Sequence, residues 1–136
     1  MHDAFTNLLI ACPNDGGLFL LHQGTTYKLD GLDTTGFVIR GRQMLRGLQP
    51  ARLVRYADGE ECGVTSGEDF GDIHDVLLEE QFHYVVKTDD NEIVKLDERG
   101  QERQRWTLPG ERDSWHVNCL TRWGSRLVFS AFGDLR

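Results

Sequence analysis

The chain has 136 residues, 39% of them apolar, which suits one domain with a real hydrophobic core. Its formal charge of −7 argues against a duplex nucleic acid partner, whose binding is dominated by cation–phosphate contacts. Cys12, Cys62 and Cys119 are widely separated and show no C-x-x-C spacing, so they support neither a disulfide framework nor a zinc site and read as buried free thiols of a reducing compartment.

Apolar runs throughout are short, rich in β-branched and aromatic residues, and broken by Gly, Asn, Asp and Pro, which predicts an all-β chain. The first run, Leu8-Leu9-Ile10-Ala11-Cys12, stops at Pro13. It is too short for a secretory signal or a membrane span, so no membrane partner is expected and the expected location is cytoplasmic. Strands are predicted near 8–12, 17–21 and 25–29, then near 36–40, 42–47, 51–57 and 61–66. Four more follow near 74–79, 82–88, 91–97 and 101–108, with Asp89-Asp90-Asn91 as the central turn, because Asn and Asp tolerate left-handed backbone. The last two fall near 115–121 and 126–132.

These strands repeat. Asp72-Ile73-His74-Asp75-Val76 is matched by Ser114-Trp115-His116-Val117-Asn118, with the histidines 42 positions apart. Leu53-Val54-Arg55-Tyr56 stands 40 positions before Ile93-Val94-Lys95-Leu96, and Thr35 holds the place of His74 in the earlier unit. Four short strands in a period of 40–45 residues are the signature of a β-propeller blade. The expected fold is a partial propeller of about three blades of four-stranded antiparallel sheet, with blade parts at 7–30, 35–66, 74–108 and 115–132. The first part lacks a first strand and the last has only a first and second. The chain therefore reads as the N-terminal half of a longer propeller, and open blade faces imply self-association. The competing reading is a small β sandwich with a fortuitous repeat.

The segments Cys12-Pro13-Asn14-Asp15-Gly16-Gly17-Leu18-Phe19-Leu20, Asp33-Thr34-Thr35-Gly36, His74-Asp75-Val76, Trp115-His116-Val117-Asn118-Cys119-Leu120 and Leu127-Val128-Phe129-Ser130-Ala131-Phe132-Gly133-Asp134 resemble a bacterial family of six-bladed β-propellers of unknown function. The resemblance implies a fold and no particular reaction. A weaker likeness, in blade pattern only, extends to calcium-dependent sugar-lactone hydrolases and NHL-type binding propellers.

First strands line a propeller's channel, so the candidate ligand-binding residues are His74, His116 and Asn118, with Trp115 as a stacking surface beside them. Imidazole and amide groups suit a polar ligand or a divalent metal, and the competing role for the histidines is a structural hydrogen bond to a neighbouring Asp. Glu68, Asp69, Asp72, Glu111 and Asp113 read as an acidic rim or as solvated loop charges. Asp97 and Asp134 read as turn caps, and Arg99, Arg103 and Arg105 as the solvated face of an edge strand. No G-x-S-x-G motif or phosphate loop is present, so no catalytic residue and no cofactor is assigned. The favoured function is a scaffold that binds a small polar ligand or a protein partner at the channel rim. The alternative is a metal-dependent hydrolase of lactonase type with His and Asn ligands.

Overall fold

The computed structural model describes residues 7–66 and 70–133, which hold thirteen strands and no α-helix. They form four antiparallel sheets of neighbours in sequence. The first holds β1 (Asn7–Cys12), β2 (Gly17–His22) and β3 (Thr25–Asp30). The second holds β4 (Thr34–Arg40), β5 (Gln43–Leu48), β6 (Arg52–Ala57) and β7 (Glu60–Ser66), and the third β8 (Ile73–Leu78), β9 (Phe82–Lys87), β10 (Glu92–Asp97) and β11 (Glu102–Thr107). The fourth holds β12 (Val117–Trp123) and β13 (Arg126–Ala131). The three-four-four-two pattern read from the sequence is the one observed.

Pairing registers identify each strand's station. First and second strands meet with a bulge that leaves an extra residue in the first strand: between Thr34 and Gly36, between Ile73 and Asp75, and between Val117 and Leu120. Second and third strands pair without a break. Third and fourth strands meet with a second bulge, which leaves Cys62 and Arg103 as extras in the fourth. In the first sheet β1–β2 is unbroken while β2–β3 is bulged, with Leu29 the extra residue in β3, although at the opposite end of the pair. The first sheet therefore consists of second, third and fourth strands.

The sheets stack face to face in chain order. Leu45 and Leu53 of the second sheet pack on Ile73, Val76, Val85 and Val94 of the third. The other face of the third sheet, through Tyr84, Val86 and Ile93, packs on Val117 and Leu120 of the fourth. Val85 and Val86 are successive residues and so point to opposite faces, yet both are 0% exposed, which fixes the third sheet between two neighbours. Each sheet's outer strand faces water. Every residue of β11 is exposed, and Arg103 and Arg105 there pair with Asp97, Glu92 and Glu102, as expected for a charged edge. Asp97 also caps its turn by accepting the Arg99 and Gln101 backbone N–H groups, both at 2.9 Å.

The cysteines depart from expectation. All three are free, but Cys62 and Cys119 are exposed and Cys12 is half-buried. Cys62 is the extra residue of an edge-strand bulge, where no further sheet covers it.

Candidate functional site

The bulges place side chains. An extra residue in a strand interrupts the alternation of faces and re-aims a side chain. In three successive first strands the re-aimed positions are Thr35, His74 and Asn118. All three line a single cleft of about 530 Å³, together with Asp33, Asp72, Gln49 and the Pro13–Asn14 turn. The inner strands approach closely enough to share it because Gly36 sits against the β8 backbone. A Cβ at Gly36 would lie 2.7 Å from Asp75 Cα and 3.0 Å from the His74 carbonyl oxygen, closer than side chains tolerate.

A second layer holds these residues. Asp33 Oδ1 accepts the Asn14 backbone N–H at 2.8 Å, tying the first sheet's turn to the cleft wall. Asp72 lies 3.2 Å from His74 Nε2 through one oxygen and accepts the Gln49 side-chain amide at 2.7 Å through the other. His116 Nδ1 lies 2.9 Å from Asp113 Oδ1. The imidazoles of His74 and His116 meet edge to face with centroids 5.1 Å apart. One nitrogen of each ring is held by a carboxylate, and the other makes no hydrogen bond among the described residues. With side chains 24% and 39% exposed, the rings are neither sealed in the core nor fully paired.

The two histidines share a rim but not a station. Asp72 and His116 hold the left-handed backbone position before the bulge, with φ of 48° and 42°, and their carbonyls accept the equivalent second-strand N–H groups of Thr88 and Phe132. His74 is therefore equivalent to Thr35, as the sequence suggested, and to Asn118 rather than His116. Matching the letters of the two histidines gave a period of 42, whereas the bulge positions are 39 and then 44 residues apart. The longer loop before β12 makes the difference.

Trp115 is placed away from the cleft. Its indole Nε1 donates to the Pro109 carbonyl at 2.6 Å, its backbone N–H donates to Asn91 Oδ1 at 2.9 Å, and its ring packs on the core between the third and fourth sheets. Of the carboxylates singled out in the sequence, Asp72 reaches the cleft, Asp113 reaches His116, and Glu68, Asp69 and Asp134 lie outside the described residues. Asp33, Gln49 and Asn14 escaped sequence reasoning. Their only signal was adjacency to the first-strand start or to the facing turn.

The cleft wall carries two carboxylates and no lysine or arginine, so it favours ligand groups that donate hydrogen bonds. Asp75, beside the bulge, instead turns into the seam between inner strands, where one of its oxygens accepts the Leu120 N–H at 2.7 Å. Burial pushes its carboxyl above the usual carboxylate range, against the pull of the Leu120 and Val76 amides. Among the described residues no three His, Cys, Asp or Glu side chains converge on a point where they would share a metal ion.

No family model matches the chain, and no curated protein sequence matches it. Solved structures do. Glutaminyl cyclase of Myxococcus xanthus is similar at 12% identity and a TM-score of 0.65, over 92% of this chain and 63% of that one. BamB from Moraxella catarrhalis is similar at 15% identity and 0.64, over 93% and 41%. BBS1N in complex with ARL6DN is similar at 13% identity and 0.61, over 90% and 42%. The chain thus spans less than two thirds of each. All three are β-propeller proteins, and likeness at this level of identity identifies the fold of this chain as an open β-propeller arc.

Proposed function

We propose that the chain is a binding module whose first-strand cleft takes a small polar molecule rich in hydrogen-bond donors, neutral or cationic. The observation that carries this reading is the convergence of Thr35, His74 and Asn118, one from each of three sheets, beside the Asp33 and Asp72 carboxylates. A wall built from separate sheets presents several acceptors at fixed spacing, which is how preorganised polar sites gain selectivity. The free imidazole nitrogen of His74 and the Asn118 amide supply the remaining contacts. Binding is favoured over metal-dependent hydrolysis because both oxygens of Asp72 are already engaged, one by His74 and the other by Gln49. Kinship with the six-bladed family and residence in the cytoplasm belong to the same proposal, supported by the propeller neighbours and by three free thiols. The likeness to BBS1N, solved in complex with ARL6DN, supports protein binding only in general terms.

The test is an amide NMR titration with ethanolamine, methyl glucoside and malonate as probes. The amine or the polyol should perturb Thr35, His74 and Asn118, malonate should not, and His74→Ala should abolish the response without lowering the melting temperature. Equal responses to malonate, or perturbations confined to other sheets, would contradict the proposal.

A further inference from the structure

The seam between the second and third sheets changes character from one pleat to the next. Alternation puts Leu53 and Arg55 on one face of β6, and His83 and Val85 on one face of β9. Leu53 and Val85 belong to the buried cluster that joins the two sheets. Two residues on, Arg55 and His83 line a cavity of about 70 Å³, walled by Leu45, Leu53 and Val64 and by the turn at 98–100.

His83 is 5% exposed, and neither ring nitrogen has a partner among the described residues. Buried polar groups are nearly always hydrogen-bonded, so two unpaired nitrogens beside a cavity mark a place where a ligand atom gains most. The Arg55 guanidinium supplies charge. Its Nη1 donates to the Glu98 carbonyl, while Nε and Nη2 make no hydrogen bond among the described residues. That Nε–Nη2 edge can hold a planar oxyanion through two parallel bonds. Gly63 pairs with Arg55 across β6 and β7, and a Cβ there would stand 3.3 Å from Nη2 and 3.6 Å from Nε, so the glycine keeps the edge uncrowded. Arg99 brings a second guanidinium to the lining and Glu98 one carboxylate. Two positive groups thus face one negative, in a chain whose net charge is −7. Size narrows the ligand further. A water occupies about 30 Å³ in the liquid, so the cavity has room for only a few non-hydrogen atoms. Val64 in its wall is 43% exposed, which gives entry from solvent past the outer strand β7.

We propose that this cavity binds a small planar monoanion of the formate class, forked by Arg55 Nε and Nη2 and hydrogen-bonded by the His83 ring. The cavity shares no residue with the first-strand cleft, so the proposal is independent of what that cleft binds.

The experiment titrates sodium formate into the 136-residue chain labelled with nitrogen-15, at constant ionic strength balanced with sodium sulfate, whose tetrahedral dianion is larger. The His83 ring nitrogens and Arg55 Nε should shift together and saturate at one formate concentration. In His83→Leu the half-saturation point at Arg55 Nε should rise about tenfold, the loss expected for one charge-assisted hydrogen bond. A drift without saturation, or the same response to sulfate alone, would show only screening of surface charge and overturn the proposal. So would a saturable shift at Arg55 or Arg99 that leaves His83 unmoved, or one unchanged in His83→Leu, because the anion would then sit on an exposed guanidinium. The titration of the unaltered chain needs no substitution, so it decides the matter even if His83→Leu fails to fold.

Discussion

His83 is a buried titratable group. It is 5% exposed at the seam of the second and third sheets, and neither ring nitrogen has a partner among the described residues. Arg55, Glu98, Arg99 and Thr65 line the small cavity it faces. Burial holds its pKa below the usual imidazole value, opposed by the Phe82 backbone and by Glu98 and Asp97, with Arg55 adding to the shift. The folded chain thus binds fewer protons than the unfolded one as pH falls below about 6.5, so stability is lost on acidification. Urea midpoints measured between pH 7 and pH 5.5 should fall in the parent and fall less in His83→Leu. The leucine variant should be more stable at pH 7 by about 1 kcal/mol, because two unsatisfied polar atoms disappear. A parallel pH profile in both proteins would contradict this. At the same scale, Asp75→Ala strands the buried Leu120 N–H and should cost about 1–3 kcal/mol in denaturant unfolding. His74 and Asn118 were legible in the sequence as polar residues at a repeated strand start. Asp33 and Gln49 were not, because their meeting with them depends on how separate sheets abut.

At the level of elements, the bulge is what converts a propeller strand into a site. Alternation and turn residues made the strands themselves readable, and Gly59 and Gly100, both with positive φ, stand in the turns before the fourth strands. The bulges were not readable. An extra residue changes no letter pattern, and the longer loop before β12 shifted the apparent match from Asn118 to His116. The same reasoning makes Gly36 critical, since β4 and β8 meet there backbone to backbone. Gly36→Ala should destabilise by about 1–3 kcal/mol, read from thermal or urea unfolding, and should perturb the His74 environment. A neutral effect would mean that the inner strands stand further apart than described.

Across the whole molecule, one buried cation ties the first sheet to the rest. Arg46 of β5 is 2% exposed and forms two hydrogen bonds to Asp30 at the end of β3, at 2.8 and 3.1 Å, with a third to Thr34. That pairing holds the Asp30 carboxyl below its usual range. Removing it through Arg46→Ala should cost about 3 kcal/mol and, more tellingly, should speed hydrogen exchange in β1–β3 ahead of the middle sheets. Uniform exchange across all sheets would show that the first sheet is not separately anchored. Consecutive first strands bulge into one rim, and the contact between His74 and His116 reports on it across two sheets. A nuclear Overhauser experiment on the histidine ring protons, assigned with a His116→Gln variant, measures that contact directly. A cross-peak is expected between the two rings, whose centroids lie 5.1 Å apart. Its absence, with each ring seeing only residues of its own sheet, would contradict the shared rim.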